Sequence, residues 1–92
     1  MQRESAETTA LLGLAWLLGN EELRPIFLGA TGATLEDAKN GAKDADFLAS
    51  VLDFLLMDDS WIMAFCESEG LKYEEPMAAR QALPGGNMPN WT

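Results

Sequence analysis

The sequence contains no histidine, one cysteine and only three residues of the valine–isoleucine type, and each shortage excludes a class of protein. Without histidine, catalysis by an imidazole base and histidine-ligated metal sites are excluded. With Cys66 alone, an internal disulfide is excluded. Ile26, Val51 and Ile62 are outnumbered by 27 leucines and alanines, and this composition is typical of helices rather than strands.

Positive charge is also scarce. Six Lys and Arg residues oppose fifteen Asp and Glu residues, so the formal net charge is −9, and no basic residue occurs between Lys43 and Lys72. Because affinity for duplexes comes largely from Lys and Arg side chains that neutralise phosphates, we predict no nucleic-acid partner. We expect a solvated acidic surface; the alternative is an acidic face that attracts a basic protein partner.

Long apolar runs are missing as well. The longest uninterrupted one, residues 10–18, has nine residues, whereas a membrane-spanning helix needs about 20. Glu4 and Glu7 precede this run, and such acidic residues argue against a signal peptide. We therefore predict no membrane association and a cytoplasmic location, with which the unpaired Cys66 is consistent.

The residues that are abundant form the pattern of a helical bundle. Fourteen leucines recur largely at helical spacing, interrupted by glycines and by cap-forming residues. The sequence predicts an all-α fold, a compact bundle of five to six helices over residues 1–83, with a short irregular Pro/Gly-rich tail over residues 84–92. The segments around residues 45–57 and 60–69 are predicted to form its centre. One long helix over about 45–69 is an alternative, since no glycine or proline separates them.

Residues with capping ability predict where the helices begin. The first helix is expected to end before Gly19, the second to cover about Glu21–Leu28, and the third to end near Gly41. A glycine-containing connector is expected over residues 29–33. The expected starting residues, in chain order, are Ser5, Asn20, Thr34 with Asp37, Asp44 or Asp46, the group Asp58–Ser60, and Pro76.

The first predicted helix is apolar on two sides. Its main face comprises Leu11, Leu14, Leu17 and Leu18. Leu12 and Trp16 project from the opposite side. Burying a large apolar side chain gains about 1.5–3 kcal/mol, so another segment or another chain should cover these two. We therefore predict Leu12 and Trp16 as a candidate interaction surface, most simply in a homodimer.

Four further features have both a structural and a functional interpretation. Residues 29–34 lack the glycine spacing of nucleotide-binding loops, so a helix connector is expected. Cys66 has no histidine or nearby cation, so we expect an inert buried thiol. Asp58 and Asp59 are expected to cap a helix; the alternative is a carboxylate-based metal or catalytic site. Trp91, in the tail, is expected to dock on this domain or on a partner.

Several segments taken together resemble one known family. These segments are Arg3–Glu7, Phe27–Gly32, Phe47–Asp59 and Ala82–Gly86. They resemble a small bacterial family, mainly alphaproteobacterial, known as domain of unknown function three-five-seven-two. The resemblance covers nearly the whole chain, and its central block is the most specific part. It implies an intracellular bacterial protein of helical fold and supplies no activity or catalytic residue.

The sequence thus predicts no catalytic residue, no cofactor and no metal ligand. We expect a non-enzymatic protein-interaction or regulatory module, with Leu12, Trp16, Asp58, Asp59 and Trp91 as its candidate interaction residues. The alternative is a small enzyme or metal-dependent site built around Asp58 and Asp59. An interaction module predicts an exposed apolar patch beside acidic residues, whereas an enzyme predicts a pocket in which several carboxylates converge.

Overall fold

The computed structural model describes residues 1–84; Trp91 lies outside the described residues, and its docking stays a prediction. Within residues 1–84 the chain forms six α-helices and no strand, which confirms the predicted all-α bundle. No helix of this part has the length and apolar character needed to cross a membrane. The helices are α1 (Arg3–Leu18), α2 (Leu23–Thr31), α3 (Leu35–Asn40), α4 (Ala45–Leu55), α5 (Asp59–Glu69) and α6 (Glu75–Ala82), with a 3-10 turn at Gly41–Lys43.

Helix α4 is the central element because it is apolar on most of its surface. Helices α1, α2, α5 and α6 all pack against it. Only a narrow stripe of Asp46, Ser50 and Asp53 is polar, and both aspartates are exposed. The six buried residues of α4 are Leu48, Ala49, Val51, Leu52, Phe54 and Leu55.

The core has two parts of different character. In the larger part, the Phe27 ring meets Phe47 and Phe54 edge-on, with centroid distances of 6.2 and 5.3 Å. Phe54 in turn stacks on Trp61 at 4.7 Å. The smaller part, which we call the alanine cluster, lies where α1, α4 and α6 meet, and its small side chains let the helix backbones approach closely. The alanine cluster consists of Ala6, Ala10, Leu48, Ala49, Leu52, Ala79 and Leu83.

The buried face of α1 differs from the prediction. Leu11, assigned to the main apolar face, is 40% exposed. A Cβ atom placed on Gly13 would lie 3.0 Å from Cδ1 of Leu55, so α1 passes very close to α4. Side-chain size, as much as hydrophobicity, determines which face of α1 is buried. The spacing of the leucines does not reveal this requirement for small residues. The buried residues of α1 are Ala6, Thr9, Ala10, Gly13, Leu14 and Leu17.

Four of the predicted caps, including Asp58 at the start of α5, are confirmed as side-chain to backbone hydrogen bonds near helix starts. Oδ1 of Asn20 accepts from the backbone N–H groups of Glu22 and Leu23, each at 3.0 Å. Thr34 and Asp37 form the reciprocal capping box. Asp44 rather than Asp46 begins α4, since its carboxylate accepts from the Asp46 backbone N–H at 2.9 Å. Each bond spans two or three residues, so the local sequence is sufficient to predict it.

The predicted ends of α1 before Gly19 and of α3 near Gly41 are confirmed, but some other predicted boundaries are wrong. Helix α1 begins before Ser5, with Gln2 at the N-cap position and no side-chain cap. Helix α2 runs through the predicted connector to Thr31 and stops at Gly32, whose φ of 73° suits a residue without a Cβ atom. Helix α6 begins at Glu75, so Pro76 occupies its second position.

Residues 45–69 form two helices, and the second is not central. Asp58 is extended and accepts a hydrogen bond from the Ser60 backbone N–H at 2.8 Å, which starts α5 anew. Helix α5 buries only Ile62, Phe65 and Cys66, while Met63 on its outer side is 47% exposed. The nearly continuous apolar run predicted a central helix, but in the described part of the chain the other helices cover only one face of α5.

Candidate functional site

Two surface grooves flank α5. The first, which we call the tryptophan groove, has a volume of about 410 Å³ and lies where α1, α2 and α5 meet, with Trp16, Ile26 and Trp61 in its walls. The second, which we call the methionine groove, has a volume of about 360 Å³ and joins the α4–α5 turn, α5 and the start of α6. The methionine groove is lined by Leu56, Asp59, Ile62, Met63, Tyr73 and Met77.

The predicted residues Leu12 and Trp16 contact the core of their own chain. Trp16 is half-buried, and its ring lies 5.7 Å from that of Phe65, so α5 partly covers this side of α1. Leu12 is also half-buried and packs against the larger core cluster. Trp61 also packs on the core, because its ring stacks on that of Phe54. The tryptophan groove therefore has aromatic walls whose rings already have partners, and the interface role of Leu12 and Trp16 stays a prediction.

The methionine groove holds apolar side chains that are much more exposed. Met63, Tyr73 and Met77 are 47%, 51% and 48% exposed, and Met57, which follows Leu56 in the turn, is 73% exposed. The other large apolar side chains with high exposure in residues 1–84 are Met1, Leu11, Ile26 and Leu35. Three of these eight exposed side chains therefore line the methionine groove, whereas Ile26 alone lines the tryptophan groove. Methionine is flexible and polarizable, and it recurs at surfaces that adapt to different partners.

Acidic side chains border the methionine groove. Asp59 is part of its lining, and the Tyr73 hydroxyl donates a hydrogen bond to Oε2 of Glu67 at 3.3 Å. The negative charge of Glu67 raises the pKa of Tyr73. On α6, one turn beyond Met77, the Arg80 guanidinium is paired with Asp53 at 2.6 Å. The groove therefore combines adaptable apolar side chains with carboxylates at its edge.

Asp58 and Asp59 are adjacent in the chain, but their side chains have different surroundings. The Asp58 carboxylate accepts from both the hydroxyl and the backbone N–H of Ser60, at 2.6 and 2.8 Å, which confirms the expected cap. The Ser60 hydroxyl, followed by the Ser60 backbone N–H, lowers the pKa of Asp58. Asp59 is part of the lining of the methionine groove. Within residues 1–84, no three acidic or cysteine side chains gather closely enough to hold a metal ion.

Cys66 is a buried thiol that is only 1% exposed. Its Sγ atom lies 3.5 Å from the carbonyl oxygen of Lys72, toward which it can donate a weak hydrogen bond. Burial, with smaller contributions from Glu75 and Glu74, raises the pKa of Cys66. A thiol held in its protonated form is a poor nucleophile, in agreement with the inert thiol that the sequence indicates.

The chain matches the model of one protein family over nearly its whole length. The model of a family described as protein of unknown function, DUF3572, matches residues 3–86. The chain belongs to the DUF3572 family. No curated protein and no solved structure matches this DUF3572 chain. Its function is therefore inferred from the surface features of the DUF3572 fold rather than from a characterised relative.

The methionine groove of this DUF3572 protein was not predicted from the sequence. Three of its five methionines, Met57, Met63 and Met77, fall within 21 consecutive residues, 57–77. That local concentration is the signal that could have found the groove. It was overlooked because Met63 lies inside an apolar run, where an unbranched apolar side chain is expected in the core.

Replacing Ser60 with alanine in this DUF3572 chain is expected to raise the pKa of Asp58 toward its ordinary value of 3.8. A carboxylate whose folded pKa is lowered stabilises the fold above its unfolded pKa and loses that contribution as the pH falls through the folded pKa. The stability difference between wild type and Ser60→Ala should therefore be complete at neutral pH and shrink below about pH 4. Carboxyl carbon NMR titration and thermal melts at several pH values measure both effects.

The matched control is Ser68→Ala on the same helix, whose hydroxyl contacts Glu69 instead. This variant should leave the pKa of Asp58 unchanged. An Asp58 pKa that is the same in wild type and Ser60→Ala would contradict the assignment of the Ser60 hydroxyl as the principal cause.

Proposed function

We propose that this DUF3572 protein is a non-enzymatic protein-interaction module that acts in the cytoplasm and binds its partner through the methionine groove. The observation that carries the proposal is that three apolar side chains, each about half-exposed, line one groove together with Asp59; they are Met63, Tyr73 and Met77. Contiguous exposed apolar surface costs free energy in water and marks interaction sites on folded proteins. The unpaired, buried Cys66 supports the proposed reducing compartment.

The enzyme alternative, based on Asp58 and Asp59, has less support. A general acid needs a pKa near the working pH, whereas the pKa of Asp58 is lowered by its bonds to Ser60. Asp59 shares its groove with apolar side chains rather than with converging carboxylates. Self-association through Leu12 and Trp16 also has less support, because both side chains already pack on the core.

Site-specific photo-crosslinking in the native cells tests this proposal. A benzophenone amino acid introduced in place of Met77 should yield adducts of defined mass with a second polypeptide. The same amino acid in place of Leu35, which is 44% exposed on α3, is the matched control and should not yield those adducts. Equal adducts from both positions, or none from position 77, would contradict a role for the methionine groove.

A second substitution shows whether the adducts depend on the lining of the groove. Met63→Gln keeps an unbranched side chain with good helix propensity but removes apolar contact surface. It should lower the yield of adducts from position 77 by up to about tenfold, the change that accompanies a loss of about 1.4 kcal/mol. Leu35→Gln is the control, and circular dichroism melts verify that both variants remain folded. An unchanged yield with Met63→Gln would remove the support for the groove.

A further inference from the structure

The shape of the methionine groove and the fold around it restrict how a polypeptide can bind there. Residues 1–84 contain no strand, so an incoming peptide cannot satisfy its backbone by joining a sheet edge. A helix satisfies its own backbone hydrogen bonds and presents apolar side chains at positions i, i+3, i+4 and i+7 to a groove. The flexible side chains of Met63 and Met77, on two different helices, can adjust to such a row.

The charges around the groove determine whether a partner should be positively or negatively charged there. Asp59 lines it, and Glu67 is held beside it through Tyr73. The nearby guanidinium of Arg80 is already paired with Asp53, so it does not compensate these carboxylates.

The rest of the chain around the groove is also acidic. The sequence has no cation between Lys43 and Lys72. Lys72 lines a neighbouring pocket together with Glu67 and Tyr73, and Glu74 and Glu75, which follow it closely in the chain, outweigh its single charge. With a net charge of −9 on the whole chain, the long-range field also attracts positive charge.

We infer that the methionine groove binds an amphipathic helix of another protein, with apolar residues on one face and Lys or Arg residues beside them. This inference rests on the proposed interaction function and names the chemistry of its partner. The apolar side chains of the helix contact Met63, Met77 and Ile62, and its cations lie near Asp59 and Glu67.

A second copy of this chain fits the groove less well. In a two-fold interface centred on the groove, each groove would face its own equivalent, so the acidic edges would lie against each other. Like charges placed opposite each other disfavour such an association. Charge complementarity therefore favours a basic partner over self-association.

Binding of designed peptides, followed by methionine methyl NMR, tests the inference. The first peptide has about four helical turns of Leu and Lys, with leucines at i, i+3, i+4 and i+7. The second carries Glu in place of every Lys, and the third has the composition of the first but an alternating order that gives no helical apolar face. The methyl groups of Met63 and Met77 report on the groove, and Met1, which lies beside Ala78 and Ala82, is the internal control.

The basic amphipathic peptide should shift the Met63 and Met77 signals and leave Met1 unchanged. Its affinity should fall as the salt concentration rises, because the exposed charges are then screened. We expect the acidic peptide to bind at least about tenfold more weakly. Asp59→Asn and Glu67→Gln should each weaken the basic peptide by about threefold, within the range measured for exposed ion pairs. Glu36→Gln on α3 is the matched control and should have no effect.

Several results would overturn the inference. They are equal binding of the acidic peptide, equal binding of the alternating peptide, equal shifts at Met1, and a self-association in sedimentation experiments that Met63→Gln abolishes. If crosslinks from position 77 depend on Met63 but the basic peptide does not bind, the partner class is wrong and the interaction function stands. If the crosslinks do not depend on Met63, the proposed function itself fails.

Discussion

Replacing Phe27 with alanine is expected to lower the free energy of unfolding by about 3–5 kcal/mol, the usual cost of removing a buried phenylalanine ring. Phe27 has no exposed surface, and its ring contacts those of Phe47 and Phe54 edge-on. The substitution leaves a cavity at the junction of α2 and α4. Since small domains are stable by only about 5–15 kcal/mol, this variant should lie close to the limit of folding.

Urea denaturation at 25 °C, followed by far-ultraviolet circular dichroism, measures the loss. Ile26→Ala is the matched control because Ile26 is the preceding residue on the same helix and is 51% exposed. The control should change stability by no more than about 0.5 kcal/mol. If both variants lose a similar amount of unfolding free energy, the contacts of the Phe27 ring with Phe47 and Phe54 do not contribute the expected stability.

Replacing Gly13 with leucine is expected to destabilise the protein by about 1–3 kcal/mol through overpacking. Even a Cβ atom at this position would lie 3.0 Å from Leu55 and 3.5 Å from Val51, and both side chains are fully buried. The added side chain would have to push α1 away from α4. Thermal and urea unfolding measure the effect.

Gly29→Leu is the matched control for this substitution. Gly29 also lies within a helix, α2, but a Cβ atom there would meet nothing within 4 Å. Both substitutions gain helix propensity relative to glycine, by about 0.8 kcal/mol, so the difference between the two variants isolates the steric cost. Equal stability of the two variants would show that the close approach of α1 to α4 is not required.

The parts of the fold that depend on neighbouring residues could be predicted from the sequence. The caps at Asn20, Thr34, Asp44 and Asp58 each join a side chain to a backbone group two or three residues away. The helical composition likewise reflects properties of single residues and short spacings. These features do not require knowledge of which helices become neighbours.

The parts that depend on distant contacts could not be predicted. The exposure of Leu11 and the burial of Ala6 and Ala10 follow from the way α1 meets α6, more than 60 residues later in the chain. Gly41 is typical of a helix end, yet a Cβ atom there would also overlap the ring of Phe47. A close approach of this kind has no signature in the local sequence.

The candidate site was missed for the same physical reason. Trp16 attracts attention because tryptophan contributes strongly to interfaces, but the fold brings Phe65 against its ring. Met63 belongs to an apolar run, but no helix within residues 1–84 covers its side of α5, and it is 47% exposed. Helical periodicity assigns residues to faces; the tertiary arrangement decides which face is covered.

The alanine cluster joins a helix made early in synthesis to one made late. While a ribosome extends the chain at about 5–20 residues per second, α1 has no partner at residues 79–83 for several seconds. The part of α1 that belongs to the alanine cluster consists of Ala6 and Ala10, which expose little apolar area to other nascent chains. A leucine-rich face would hold the finished helices apart and would also be more adhesive during this interval. Small residues at this junction therefore serve close packing in the folded protein and reduce unwanted association while it is being made.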